Sequence, residues 1–189
     1  SCLVMKISSI ILKTILVILT VLVSIWSGRT ATSNQPISDY SDGCAYIRMA
    51  YHIYHHGTFS FDKYDSPTPK PSAYREPGYS SYLALFFKDG LMKPAELQDP
   101  SQNRALLYTL RLGQVYLLAI SALAGLFVVY KLTKSFWLGY LAMVLLGFSA
   151  ELFSNIDSMY AEQLCVPIVI LMSYMLYLAL RDKKLPYFA

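Results

Sequence analysis

The side chains able to do chemistry fall into two short clusters and a few isolated positions. Asp42 opens the run 42–57, with Tyr46 one helical turn later, and Arg75-Glu76-Pro77-Gly78-Tyr79 follows a proline-rich stretch. Arg111 and Glu162 each stand near the start of an apolar stretch. A carboxylate such as Asp42 can take a proton as a general base, and Asp39 beside it offers the same chemistry. The commonest role for Asp at the head of a helix is nonetheless an N-cap. Arg75 and Arg111 can snorkel to headgroups, yet an arginine at or within a membrane is a functional candidate by default. Glu151 and Glu162 read first as structural, facing water or pairing with Arg111. His52 and His56 have the i, i+4 spacing of metal ligands, with His55 adjacent, but no cysteine partner accompanies them. No metal and no cofactor are expected. The chain has no glycine-rich phosphate loop, serine-hydrolase elbow or Cys-x-x-Cys pair.

The elements that must position these groups are set by hydropathy. Of 189 residues, 55% are hydrophobic and only 15% charged, with a mean hydropathy of +0.40. That is too apolar for a soluble domain of ordinary usage, so part of the surface must face lipid. The net charge of +4 comes from 16 Lys and Arg residues that form no basic stripe, which argues against nucleic acid. Cys2, Cys44 and Cys165 occupy three different environments and make no disulfide framework.

Four apolar stretches, at about residues 7–26, 106–130, 136–153 and 161–180, each approach the roughly 20 residues a membrane helix needs. A cleaved signal peptide is the rival reading of the first; its apolar run is long for one and no clear small-x-small site follows, which favours an uncleaved anchor. Lys131 and Lys134 lie between the second and third stretches and Arg181, Lys183 and Lys184 after the fourth, whereas 154–158 carries no basic residue. The positive-inside rule then puts both ends inside and the segment 28–103 outside. The expected fold is an all-α membrane protein, a multi-span helical bundle whose long outer loop carries two amphipathic interface helices.

The first of those helices is 42–57, where Tyr46, Met49, Ala50, Ile53 and Gly57 recur at helical spacing with Arg48, His52 and His55 opposite. Ser41 or Asp42 can cap its start and Gly57 can end it. The stretch 66–72, with three prolines, is a loop. Pro77 suits the first position of the second helix, whose face is Tyr79, Tyr82, Leu83, Phe86 and Phe87, and Lys88-Asp89-Gly90 ends it.

An N-terminal span, an outer loop with Asp42-x-x-x-Tyr46, an amphipathic helix closing at Gly57, Arg75-Glu-Pro-Gly-Tyr79, and Tyr160-Ala-Glu162 before the fourth span together resemble the start of the GT-C glycosyltransferases. The nearest groups are the protein O-mannosyltransferases and the lipid A aminoarabinose transferases. The resemblance implies transfer of a sugar from a polyprenyl-phosphate donor to a lipid, protein or glycan acceptor at the outer, periplasmic or luminal, face of a bacterial inner or ER-type membrane. It implies Asp42 as catalytic base, Arg75 and Arg111 on the donor phosphate, and Tyr46, Glu76, Tyr79 and Glu162 lining the substrate. Those enzymes have many more spans, so the chain is expected to be the N-terminal part of a larger protein. The competing class is a non-enzymatic membrane subunit or scaffold whose outer loop docks a partner.

Overall fold

A computed structural model of the chain describes residues 2–32, 42–72, 75–87 and 103–181. Among these there are seven helices and no strand: α1 (Cys2–Ala31), α2 (Asp42–His56), α3 (Pro77–Ala84), α4 (Arg104–Thr133), α5 (Phe136–Gly147), α6 (Ala150–Ser158) and α7 (Glu162–Arg181). The expectations for Asp39, Ser41, Lys183 and Lys184 fall outside the described residues, and α3 ends at Ala84, capped at Leu85, before the Lys88-Asp89-Gly90 expected to end it, so Phe86 and Phe87 follow the helix rather than lie on it. The chain is an all-α, membrane-type bundle. Three helices, α1, α4 and α7, are long and apolar enough to cross a bilayer.

α4 is the hub. Of its span, 61% is buried inside the bundle, against 6% for α1 and 11% for α7, so the latter two turn most of their apolar surface outward. Its caps follow from local sequence: the Asn103 side chain accepts the Leu106 N–H at the start, and Lys134 in the left-handed region returns its N–H to the Tyr130 carbonyl at the end. Small residues let α5 approach closely. A Cβ on Gly139 would come 2.7 Å from the Leu126 carbonyl oxygen, and one on Gly125 would meet the Leu146 side chain.

The third apolar stretch is not one continuous helix. It breaks at Phe148-Ser149, and α5 and α6 meet at an angle of 40°. The residues 154–158, expected as a link, belong to α6. The reason is local: the Ser149 hydroxyl accepts the Leu152 N–H and opens a new helix with Glu151 in its first turn. A break at membrane depth frees carbonyls, and Ser24 of α1 donates its hydroxyl to that of Gly147 at 2.8 Å. Thr20 and Tyr140 hydrogen-bond one turn away, also at 2.8 Å, and the two bonds tie α1 to α5.

At one end of the bundle α2 and α3 pack together over the first turns of α4. Ile47, Ala50, Tyr51, Leu83 and Phe87 close on Leu106, Leu107 and Leu110 in one buried cluster. α3 lands on α4 at Gly113, where a Cβ would be 2.9 Å from Phe86 and whose carbonyl accepts the Tyr82 hydroxyl at 2.7 Å. Pro77 opens α3, as its fixed φ favours. α2 ends as expected at Gly57, whose φ of +62° lets its N–H reach the Ile53 carbonyl.

α2 differs in one respect from the expected interface helix: it is buried on most sides. His52, expected on the polar face, is fully buried. The segment between α2 and the proline-rich stretch explains this, because its residues 61–64 lie back over the helix. Arg48 stacks on Phe61 and Tyr64, Tyr51 meets Tyr64 edge-on, and His52 Nε2 lies 3.0 Å from the Asp62 carbonyl oxygen. Burial, with smaller contributions from His56 and Arg48, lowers the His52 pKa from its ordinary value, against the opposing effect of Asp62. The folded state therefore binds fewer protons than the unfolded chain once pH drops below about 6.5. The stability His52 contributes is complete above that pH and is lost as pH falls through the lower folded-state value. The thermal midpoint in detergent should fall between about pH 7.5 and pH 5, and His52→Gln should flatten that part of the profile.

Candidate functional site

The two sequence clusters meet in space. Asp42, the first residue of α2, and Arg75, two residues before α3, form an ion pair although they are 33 residues apart. Their side chains are 48% and 30% exposed, so the pair faces solvent rather than the core. Behind it, the Tyr46 hydroxyl donates to Glu76 Oε2 at 3.2 Å, and the Tyr46 and Tyr79 rings meet edge to face with centroids 4.8 Å apart. Tyr79 continues into a stack with Tyr82. Five of the seven expected site residues thus share one end of the bundle as a single constellation. Glu162, exposed at the first position of α7, lies close enough to raise the Tyr79 pKa slightly.

Burial dominates the electrostatics of the aromatic wall. The Tyr46 pKa is pushed up to about 12 by burial first and by the Glu76 carboxylate second, with Arg75 opposing. Burial raises Tyr79 and Tyr82 as well. All three phenols stay protonated at neutral pH and act as hydrogen-bond donors or apolar rings, not as bases.

Arg111 belongs to a different ion pair. It is buried at 3% exposure, with Nε 3.3 Å from Asp157 Oδ1 and Nη2 3.4 Å from the Asp157 carbonyl oxygen. Glu151 and Glu162 are both exposed, as in the first of the two readings given for them, and the carboxylate beside Arg111 is that of Asp157, on the last turn of α6. The two ion pairs are linked through the backbone. Asp157 precedes Ser158 and Met159, where the chain turns from α6 to α7 through a left-handed Met159 with φ of +55°. Gly43 of α2 rests on that turn, and a Cβ there would stand 2.5 Å from the Ser158 carbonyl oxygen. Neutralising the exposed member of a buried pair leaves the buried charge less well compensated, whereas removing the buried charge itself does not. Asp157→Asn should therefore destabilise more than Arg111→Met. The expected loss for Asp157→Asn is about 3 kcal/mol, near the lower bound for buried pairs because Asp157 is partly exposed; thermal unfolding of both variants in detergent checks the order.

Sequence reasoning missed Asp157, Gly43 and the Ser158-Met159 turn. Gly43 carried a signal, since glycine inside an otherwise periodic helix is costly and marks a close approach. The Arg111–Asp157 pairing, 46 residues apart, had none. Among the described residues no three His, Cys, Asp or Glu side chains converge as a metal cluster, and the His52 and His56 rings lie 5.5 Å apart within the aromatic packing of α2. Cys44 is buried and Cys165 exposed, and neither is in a disulfide among the described residues. Comparison with protein-family models, curated proteins and solved structures finds no match for this chain, and the site rests on its own geometry.

Proposed function

We propose that the chain carries the catalytic loop of a membrane glycosyltransferase that takes a sugar from a polyprenyl-phosphate donor and passes it to a hydroxyl of a lipid, protein or glycan acceptor on the outer face of the membrane. The observation that carries this reading is the solvent-facing Asp42–Arg75 pair, set against Tyr46 and Tyr79 at the end of an apolar bundle. Lys6, Lys131, Lys134 and Arg181 gather at the opposite end, which the positive-inside rule places in the cytoplasm.

A lipid-linked donor has an apolar tail, a phosphate at headgroup depth and a sugar in water. The constellation offers a group for each: aromatic rings beside the tail, a guanidinium for the phosphate and a carboxylate for the acceptor. The magnitudes favour exchange. An ion pair as exposed as Asp42–Arg75 contributes about 1 kcal/mol or less, whereas each charge-assisted hydrogen bond from an arginine fork to phosphate contributes about 1.5–3 kcal/mol. Donor binding would draw Arg75 onto the phosphate and release the Asp42 carboxylate. Asp42 would then take the acceptor hydroxyl's proton as that oxygen bonds to the anomeric carbon and the bond to the phosphate oxygen breaks, a single displacement with inversion. Polyprenyl phosphate leaves as an anion already paired with Arg75.

The test is a panel of radiolabelled polyprenyl-phosphate sugars supplied to membranes containing the protein. Arg75→Lys keeps the charge and loses the fork; with one charged hydrogen bond gone, the donor KM should rise about tenfold or more. Transfer from no member of the panel would overturn the reading. An unchanged donor KM in Arg75→Ala would move phosphate binding to a different cation.

A further inference from the structure

We infer that the end of the bundle opposite α2 and α3 holds a binding site for one anionic phospholipid, in a slot between α1 and the α4–α5 hairpin. The slot is a cavity of about 510 Å³, within the roughly 300–1,000 Å³ of ordinary ligand pockets. Its walls are Ile10 and Lys13 of α1, Leu123, Leu126 and Phe127 of α4, and Phe136 of α5. Ile10, Leu123 and Phe127 stay exposed, so the slot opens to the surface that lipid would cover.

Charge decides the occupant. The Lys13 ammonium, part of the slot's lining, sits over the Phe136 ring at 5.3 Å, and the Lys131 ammonium, one turn beyond the lining residue Phe127 on α4, lies over the Phe127 ring at 5.5 Å. Lys13 lies seven residues along α1 from Lys6, on the same helix face and about 10 Å deeper. The three helices that build the slot, α1, α4 and α5, contain no Asp or Glu. Among the described residues neither Lys13 nor Lys131 has a carboxylate partner. A lysine facing hydrocarbon is costly unless it is paired. A neutral acyl chain would fill the slot and leave both ammonium groups unpaired; a soluble anion would pair them and leave the apolar walls wet. A second copy of the chain in a symmetric contact would bring the same lysines against these. A lipid phosphate between Lys13 and Lys131, with its acyl chain along Leu123 and Leu126, meets both demands.

The experiment uses the purified protein in a neutral detergent, with bound lipid counted by native mass spectrometry and the thermal midpoint followed in parallel. Phosphatidylglycerol and phosphatidylcholine with identical acyl chains separate headgroup charge from chain, and glycerol 3-phosphate supplies the head alone. One phosphatidylglycerol should bind about tenfold or more tightly than phosphatidylcholine, with glycerol 3-phosphate failing to displace it. Lys13→Gln should remove most of that preference, Lys131→Gln should weaken it, and Leu126→Trp should reduce retention of both lipids. Lys70→Gln, at the other end of the molecule, should change nothing. Lys131 is exposed at the end of α4, so its variant remains informative should Lys13→Gln fail to fold. Equal affinity for the two lipids, a preference undiminished by the lysine substitutions, displacement by glycerol 3-phosphate, or a dimer cross-linked across the slot would each overturn the inference.

Discussion

Asp42→Asn should lower turnover about 10²- to 10⁴-fold, the usual contribution of a general base, while donor KM and membrane insertion change little. The substitution is nearly isosteric, and asparagine is tolerated at helix starts about as well as aspartate. It removes only the charge of a solvent-facing pair with Arg75, worth about 1 kcal/mol or less to the fold. Stability and activity therefore separate: the thermal midpoint should barely move while the rate collapses. Initial rates at saturating donor, beside unfolding curves of the same preparation, provide the check. Wild-type turnover in Asp42→Asn would leave Asp42 as a structural partner of Arg75. The search for the base would then pass to Glu76, which accepts the Tyr46 hydroxyl 3.2 Å away.

Gly43→Ala should damage both fold and activity, although it adds a single methyl group. The new Cβ would stand 2.5 Å from the Ser158 carbonyl oxygen and 3.0 Å from the Met159 Cβ, and the first of these is backbone held in a turn. Either α2 lifts or the α6–α7 turn moves. Overpacking of this kind costs about 1–3 kcal/mol. Asp42 is the adjacent residue, so the same displacement shifts the carboxylate, and a misplacement near 1 Å can cost about 10²-fold in rate. Gly78→Ala is the control, because nothing lies within 4 Å of its added Cβ; it should match or slightly exceed wild-type stability, alanine being the better helix former. Equal thermal midpoints for Gly43→Ala and wild type would mean that α2 does not rest on that turn.

The sequence was informative wherever one segment could decide its own state. α1, α4 and α7 are legible as apolar runs because lipid forces each to satisfy its backbone internally. Pro77 and Gly57 mark a helix start and a helix end because each fixes or frees one φ angle. The break at Phe148-Ser149 was also local, since Ser149 can cap and Glu151 favours a first turn, but the unbroken apolar composition across it hid the signal. Long-range pairing left no such trace. That Arg111 meets Asp157, that Asp62 and Tyr64 cover His52, and that Gly43 rests on Ser158 depend on which segments lie side by side.

The amino-acid sequence by itself determined that the chain is a helical membrane protein, and where its long helices and its reactive side chains lie along the chain. Those properties come from hydropathy and backbone preferences acting within a few turns. Only the tertiary structure decided that Asp42 and Arg75, 33 residues apart, share one solvent-facing site while Arg111 is held in another pair. Contact between distant segments is fixed by packing against α4, where Leu106, Leu107, Leu110 and Gly113 receive α2 and α3. Shape complementarity between helix faces selects that arrangement, and no single segment contains it.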